Sequence, residues 1–474
     1  MIAASSQADF KDWLSPMLVK ELRQGLRSRV FVSAFYLCQA LMILTTILQM
    51  ISASIPNNVG DMAGFMNAIF WFMIGVPLLF VMPLRGFGAL HAEIKAGTLE
   101  LVFLTRLSAW KIAAGKWLAL VVQTLLLICS VLPYVVLRYF VGGVDLIDDL
   151  QKVAFLLTGS ALLTAATIAL SPYESKLVRA LFIFGMIFAA QFIAGIFFTW
   201  LAIGQLNPTG TAPWAGYLAG AIFAIAFIAL ALELAASKIA PPAENHALIK
   251  RLIGLAVLLF AVIFSFFTSE QEMVFGFAIV FLVPVLIDAL AEPLRFVRSH
   301  HASFSRFPSG AVILRIFFLP GWVSGYWFTV LLAAVLSLGM LISGLWANES
   351  FLLMTVSFFG TLLLPAALIR LIAPSTPNFL GFYIALQFAL AAITLLVSIM
   401  GGIADQNYQL WLCWLPNSVL WWTLFSVTSA DNIPVLLVTS SIMTLLGALL
   451  LFFRSLAPSR DIRSQLRQTT PAHV

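Results

Sequence analysis

Runs of about twenty apolar residues, long enough to cross a bilayer as a helix, recur from one end of the chain to the other. Lipid offers no hydrogen bonds, so only helices and closed barrels can span it. Barrel strands are short and alternate in polarity, whereas these runs are long and unbroken. Hydrophobic residues make up 62% of the 474 and charged residues only 10%, with a mean hydropathy of +1.03. A soluble fold of this size could not cover itself with so little polar surface. The chain is expected to be all-α, a polytopic integral membrane protein.

Spans are expected near 30–52, 66–90, 112–137, 151–171, 178–204 and 214–236, and then near 252–268, 273–290, 321–345, 351–372, 378–402 and 433–453. These are about twelve transmembrane helices in two six-helix halves, 30–236 and 252–453, with a linker at 237–251 and a tail at 454–474. The linker, Ser237 to Arg251, is polar and contains Pro241-Pro242. Residues 409–428 are ambiguous. Four tryptophans around Pro416-Asn417 suit an interfacial or re-entrant piece, because Trp prefers the headgroup zone.

Charge sets the expected orientation. A net charge of +6 would suggest nucleic acid in a soluble protein; here the excess of Lys and Arg in cytoplasmic loops explains it. With both termini cytoplasmic, 24 of the 26 Lys and Arg fall inside. Only Arg138 and Lys152 fall outside, among Asp145, Asp148 and Asp149. No nucleic-acid partner is expected.

Residues 1–29 form a cytoplasmic N-terminus and an interfacial helix. No cleaved leader is expected, since 1–14 lack a basic stretch and a small-residue cleavage site. Ser15-Pro16 offers a helix start. Leu18, Leu22 and Leu26 then lie four apart on one side, with Lys20, Glu21, Arg23 and Arg27 on the rest. That pattern fits a helix lying in the membrane interface with snorkelling cations.

Between the second and third spans lies Glu93-Ile-Lys-Ala-Gly-Thr-Leu-Glu-Leu-Val-Phe-Leu-Thr105, continuing to Lys116. It is too short and too charged to span. Gly97 can break out of the preceding helix, and Thr98 can cap a new one. Leu99, Val102 and Phe103 then share a face, and Glu100 sits in the first turn, favoured by the helix dipole. Apolar side chains shown to the aqueous side need a cover. The segment is read as a docking helix.

The chemistry excluded is as telling. A phosphate-cradling G-x-x-x-x-G-K-[ST] loop is absent: Gly115-Lys116 is followed by Trp117, with Trp110 where the first glycine belongs. No H-E-x-x-H or G-x-S-x-G occurs. Cys38, Cys129 and Cys413 have no ligand spacing, and His300-His301 has no third ligand nearby, so neither disulfide nor metal is expected. Ion-coupled carriers usually place ionisable groups deep in their helices. Here Glu233, Asp288 and Arg370 stand near span ends, and mid-span polarity is limited to groups such as Gln123, Gln191 and Gln387. Any transport would draw its energy from another chain.

In order, the chain carries Lys20-Glu-Leu-Arg-Gln24, two spans, Glu93-Ile-Lys-Ala-Gly-Thr-Leu-Glu-Leu101, and Ile112-Ala-Ala-Gly-Lys116. Over roughly residues 15–236 it resembles the permease subunits of ATP-binding-cassette (ABC) transporters of the type 2 export class. In that family a Glu-x-x-x-Gly-Thr-Leu-Glu motif opens the coupling helix between spans two and three. A Gly-Lys pair begins span three, and the N-terminal helix is the elbow. The resemblance implies a coupling helix near 97–106, with Glu93, Gly97, Thr98, Leu99 and Glu100 as its motif and Val102 and Phe103 in its docking face. It implies an elbow carrying Lys20, Glu21, Arg23 and Arg27. The implied partner is a cytoplasmic ABC ATPase subunit, which would hold the ATP and Mg and do the hydrolysis; this chain would hold no cofactor and be no enzyme itself. The implied location is the cell (inner) membrane.

Two features depart from the family. Arg106 follows Thr105 where the family often has Pro, and the chain has twice the usual six spans. The second half would complete a pseudo-dimer or be an added module, so a second permease chain stays open. It has no Gly-Thr-Leu-Glu, so any ATPase contact there would be degenerate, through Arg295–Arg315. The alternative reading is a non-transporting membrane scaffold or assembly subunit of an envelope complex. A lipid-modifying membrane enzyme has no constellation to support it. Substrate and direction are not written in the sequence.

Overall fold

The computed structural model describes residues 16–53, 61–97, 107–141, 145–173, 180, 213–241, 243–268, 271–294, 297, 311–373, 379–404, 413–424 and 430–469. Among the described residues every regular element is helical. Eleven helices are long and apolar enough to cross a membrane, and each falls on one of the expected spans. The remaining expected span, 178–204, lies outside the described residues except for 180. The chain is an all-α, multi-pass membrane protein. It divides into two compact units, one holding the described residues to Tyr173 together with 224–240, the other holding 180, 213–223 and those from 241 onward.

In the first unit α1 (Pro16–Leu26) turns directly into α2 (Arg29–Ala53). The corner is pinned by Arg85, whose Nη2 donates to the Gly25 carbonyl and to Ser28 Oγ, each at 3.2 Å. α3 (Asp61–Val76) continues through a π turn at Pro77–Val81 and short helical turns to α4 (His91–Ala96). Pro77 and Pro83 lack the N–H that would keep this helix regular. The Pro83 carbonyl also accepts from the Thr167 hydroxyl, at 2.8 Å. α5 (Ala109–Val141) and α6 (Leu146–Leu170) form a hairpin. Met42, Phe70, Trp71, Leu78, Leu127 and Leu156 are core residues of this unit.

At the far end of the α5–α6 hairpin, Arg138 pairs with Asp149 at 3.2 Å and donates to Asn67 Oδ1 at 2.6 Å. Its guanidinium stands 4.1 Å from the centre of the Phe70 ring. Lys152 pairs with Asp148 and Asp149. The two cations that break the charge rule are therefore neutralised where they stand.

The second unit contains the start of α7 (Pro213–Ile239), together with α8 (His246–Phe264), α9 (Gln271–Ala291), α10 (Ala311–Phe318), α11 (Trp322–Ser343), α12 (Glu349–Ile372), α13 (Phe379–Ala404), α14 (Pro416–Leu424) and α15 (Ile433–Thr469). Asn245 and Asn348 cap α8 and α12 by accepting from the N–H groups of Leu248 and Phe351. α12 is the most buried of the candidate spans.

Of the ambiguous stretch 409–428 the structure describes 413–424, which contains α14. Nine residues of helix reach only about 13 Å, too short to cross. Its first turn packs on the middle of α12, where a Cβ added at Gly360 would stand 2.8 Å from Pro416 Cβ. Asn417 donates to Gln387 Oε1, and Gln387 donates to the Thr361 carbonyl at 2.7 Å and to the Tyr383 hydroxyl at 2.9 Å. Nearer its far end, Trp422 donates to Ser398 Oγ at 2.8 Å and packs with Leu353 and Leu436. α14 is thus a re-entrant half-helix, sunk to mid-span from the side where α13 ends and α15 begins. Its polar groups are satisfied by protein, the condition for irregular backbone at that depth.

Candidate docking site

The chain approaches the expected docking segment through α4, and α4 is fixed at both ends. At its start the N–H groups of Leu90 and His91 both donate to Ser171 Oγ, at 2.9 and 3.0 Å. That hydroxyl in turn donates to the Phe87 carbonyl at 2.9 Å. Ser171 is fully buried, so all three bonds form away from water. At its end Gly97 adopts φ 66°, the left-handed conformation that stops a helix, with its N–H turned back to the Ile94 carbonyl. A side chain there would be strained.

The charged residues converge on Lys116, in the second turn of α5. Its Nζ lies 2.8 Å from Glu93 Oε1 and 3.0 Å from Glu21 Oε1. The Lys116 side chain is 5% exposed and those of Glu93 and Glu21 are 17% and 21% exposed. An ammonium this deep in protein needs compensating carboxylates, and two helices supply one each. Three stretches of sequence, the α1 helix, the end of the second span and the start of the third, are joined at one nitrogen. Beneath them Leu90, Ile112, Ala113, Ile168, Leu232 and Ala235 form a closed apolar cluster. The base of the segment is therefore rigid on both its polar and apolar sides.

Of the residues expected to act in docking, Glu93 and Gly97 are placed as above. Thr98, Leu99, Glu100, Val102 and Phe103 lie outside the described residues. On α1, Glu21 faces Lys116, while Lys20, Arg23 and Arg27 are exposed on the other side. Within the apolar stripe, Leu18 is buried and Leu26 packs on the core of the first unit, so protein covers both.

The sequence reading missed two things. Ser171 carries no signal, since Ser-Pro after a span reads as an ordinary loop. The second is a buried charge cluster in the second unit. Lys250 pairs with Asp288 and, at 2.9 Å, with Glu292. Arg251 pairs with Glu292 at 2.8 Å and donates to the Phe317 and Leu319 carbonyls. Glu292 also accepts from the Gly321 N–H at 3.0 Å. Here too an acidic residue just past the second span of its half ties together the starts of two others, α8 and α11. Asp288 and Glu292, four apart behind a Lys250-Arg251 pair, were the available signal. Of the four arginines expected to offer a degenerate contact, Arg315 is described, half-buried on α10; Arg295, Arg298 and Arg306 lie outside the described residues.

Compared with protein-family models, curated proteins and solved structures, the chain matches none.

Proposed function

We propose that the chain is the transmembrane subunit of an ABC transporter of the type 2 export class, moving its substrate with energy supplied by a separate cytoplasmic ATPase. The observation that carries this reading is the junction of Glu21, Glu93 and Lys116. It gathers the residues of three separately recognised stretches at the foot of the segment read as the coupling helix. A docking helix transmits motion only if its foot is joined firmly to the spans it must move. Here a push on 98–106 is passed through Glu93 and Lys116 to α5, and through Glu21 to α1 and onward into α2. Closure of the ATPase would rock these elements together and switch the spans between inward- and outward-facing states.

The test is co-purification in detergent with a candidate ATPase, comparing wild type with Leu99→Asp and Glu100→Arg. The ATPase is expected to associate with wild type and to be lost, or to hydrolyse without coupling, in the variants. Equal association with all three proteins, or none with any, would move the scaffold reading ahead.

A further inference from the structure

Among the described residues, the outward face of α1 is a charged surface that docking leaves unused. Lys20, Arg23 and Arg27 recur at helical spacing with Gln24 between them, and all four side chains are exposed. None of the three cations has an ion pair or hydrogen bond among the described residues. The sole carboxylate of the helix, Glu21, is turned the other way to Lys116. The face is therefore a line of uncompensated positive charge, about 10 Å long from Lys20 to Arg27 at 1.5 Å per residue.

We propose that this face binds the phosphate groups of anionic phospholipids, with Lys20, Arg23 and Arg27 each donating to headgroup oxygens and the side-chain amide of Gln24 adding a neutral donor. Two observations favour lipid over a soluble anion. First, α1 turns through Arg27 and Ser28 straight into α2, whose first turns expose Val30, Val32, Tyr36 and Leu37. These are side chains suited to acyl chains, so α1 stands at the level of the headgroups. Second, Leu18 and Leu26 of the apolar stripe of α1 are packed on protein. These side chains are not free to insert into lipid, which gives charge the larger part in holding the outward face to the membrane. A basic residue near an anionic leaflet strengthens attachment about fivefold. Because the same helix carries Glu21, lipid held here would also steady the foot of the docking segment.

The experiment titrates the full chain in neutral detergent with short-chain phosphatidylglycerol, short-chain phosphatidylcholine and glycerol phosphate, reading binding by native mass spectrometry. Phosphatidylglycerol is expected to bind in preference to phosphatidylcholine, and glycerol phosphate not to bind. Lys20→Gln, Arg23→Gln and Arg27→Gln are each expected to weaken phosphatidylglycerol about fivefold. The pair Arg23→Lys with Arg27→Lys should retain it, which separates lost charge from lost fold. Equal binding of the two lipids, or of phosphatidylglycerol to wild type and a triple Gln variant, would overturn the proposal and leave a merely solvated face. Glycerol phosphate binding as tightly as lipid would reassign the face to a soluble anion. Unchanged lipid binding with loss of a co-purifying ATPase in the triple variant would reassign it to a protein partner. No arm but this last requires an ATPase, so failure here is separable from failure of the transporter reading.

Discussion

Lys116 holds two carboxylates that would otherwise face each other at the edge of the protein interior. Its removal does more than delete an ion pair, because Glu93 and Glu21 would be left close together and partly desolvated. Lys116→Met is expected to destabilise the protein by about 3 kcal/mol. Adding Glu93→Gln should then recover part of the loss, with a coupling of about 1–3 kcal/mol between the two sites. Thermal unfolding in detergent of wild type, both single variants and the double variant closes the cycle; strictly additive shifts would mean that the contact carries no energy. Glu93, Gly97 and Lys116 were each visible in the sequence as parts of a motif. Their meeting was not, because the distance between residues 21, 93 and 116 is set by how three helices pack. The opposite case is Arg138 and Lys152. They stood out as exceptions to the charge rule, and the aspartates beside them in the sequence already named their partners.

Among the elements, α1 and α14 show where periodicity informs and where it misleads. The leucine stripe of α1 marked an amphipathic helix correctly, yet a stripe cannot say whether lipid or protein will cover it. Leu18 and Leu26 are covered by protein. For α14 the density of tryptophan left two readings. Its length, the Asn417 bond to Gln387 and a 2.7 Å hydrogen bond between Ser418 Oγ and Thr394 Oγ1 decide for the re-entrant one. The fit depends on Gly360, whose absent side chain admits Pro416 and the Thr444 hydroxyl. Gly360→Val should force α14 off α12 at a cost of about 1–3 kcal/mol. Asn417→Ala should cost a similar amount, about 1–3 kcal/mol, by leaving Gln387 Oε1 without its donor. Both are read as a lowered unfolding midpoint. A midpoint unchanged in both variants would show that α14 does not depend on this depth.

For the molecule as a whole, the spans were legible because lipid imposes one length and one backbone solution on every crossing. What the hydropathy pattern could not supply is the polar joinery at the span ends, Ser171 with the N–H groups of α4 and Glu292 with Lys250 and Arg251, since each joint depends on residues far apart in the chain. Orientation rests on charge bias, and it can be tested on α5 alone. Trp110 and Ile147 are both exposed and stand on either side of that helix, one at its start and the other past its end in the first turn of α6. In a background with Cys38, Cys129 and Cys413 replaced by Ala, Trp110→Cys is expected to react with an impermeant thiol reagent only from the cytoplasmic side, and Ile147→Cys only from the other. The reverse pattern would place the docking segment outside the cell, where no ATPase could reach it, and would remove the transporter reading. Reaction of both from one side would instead remove α5 as a crossing, and with it the hairpin that positions Lys116.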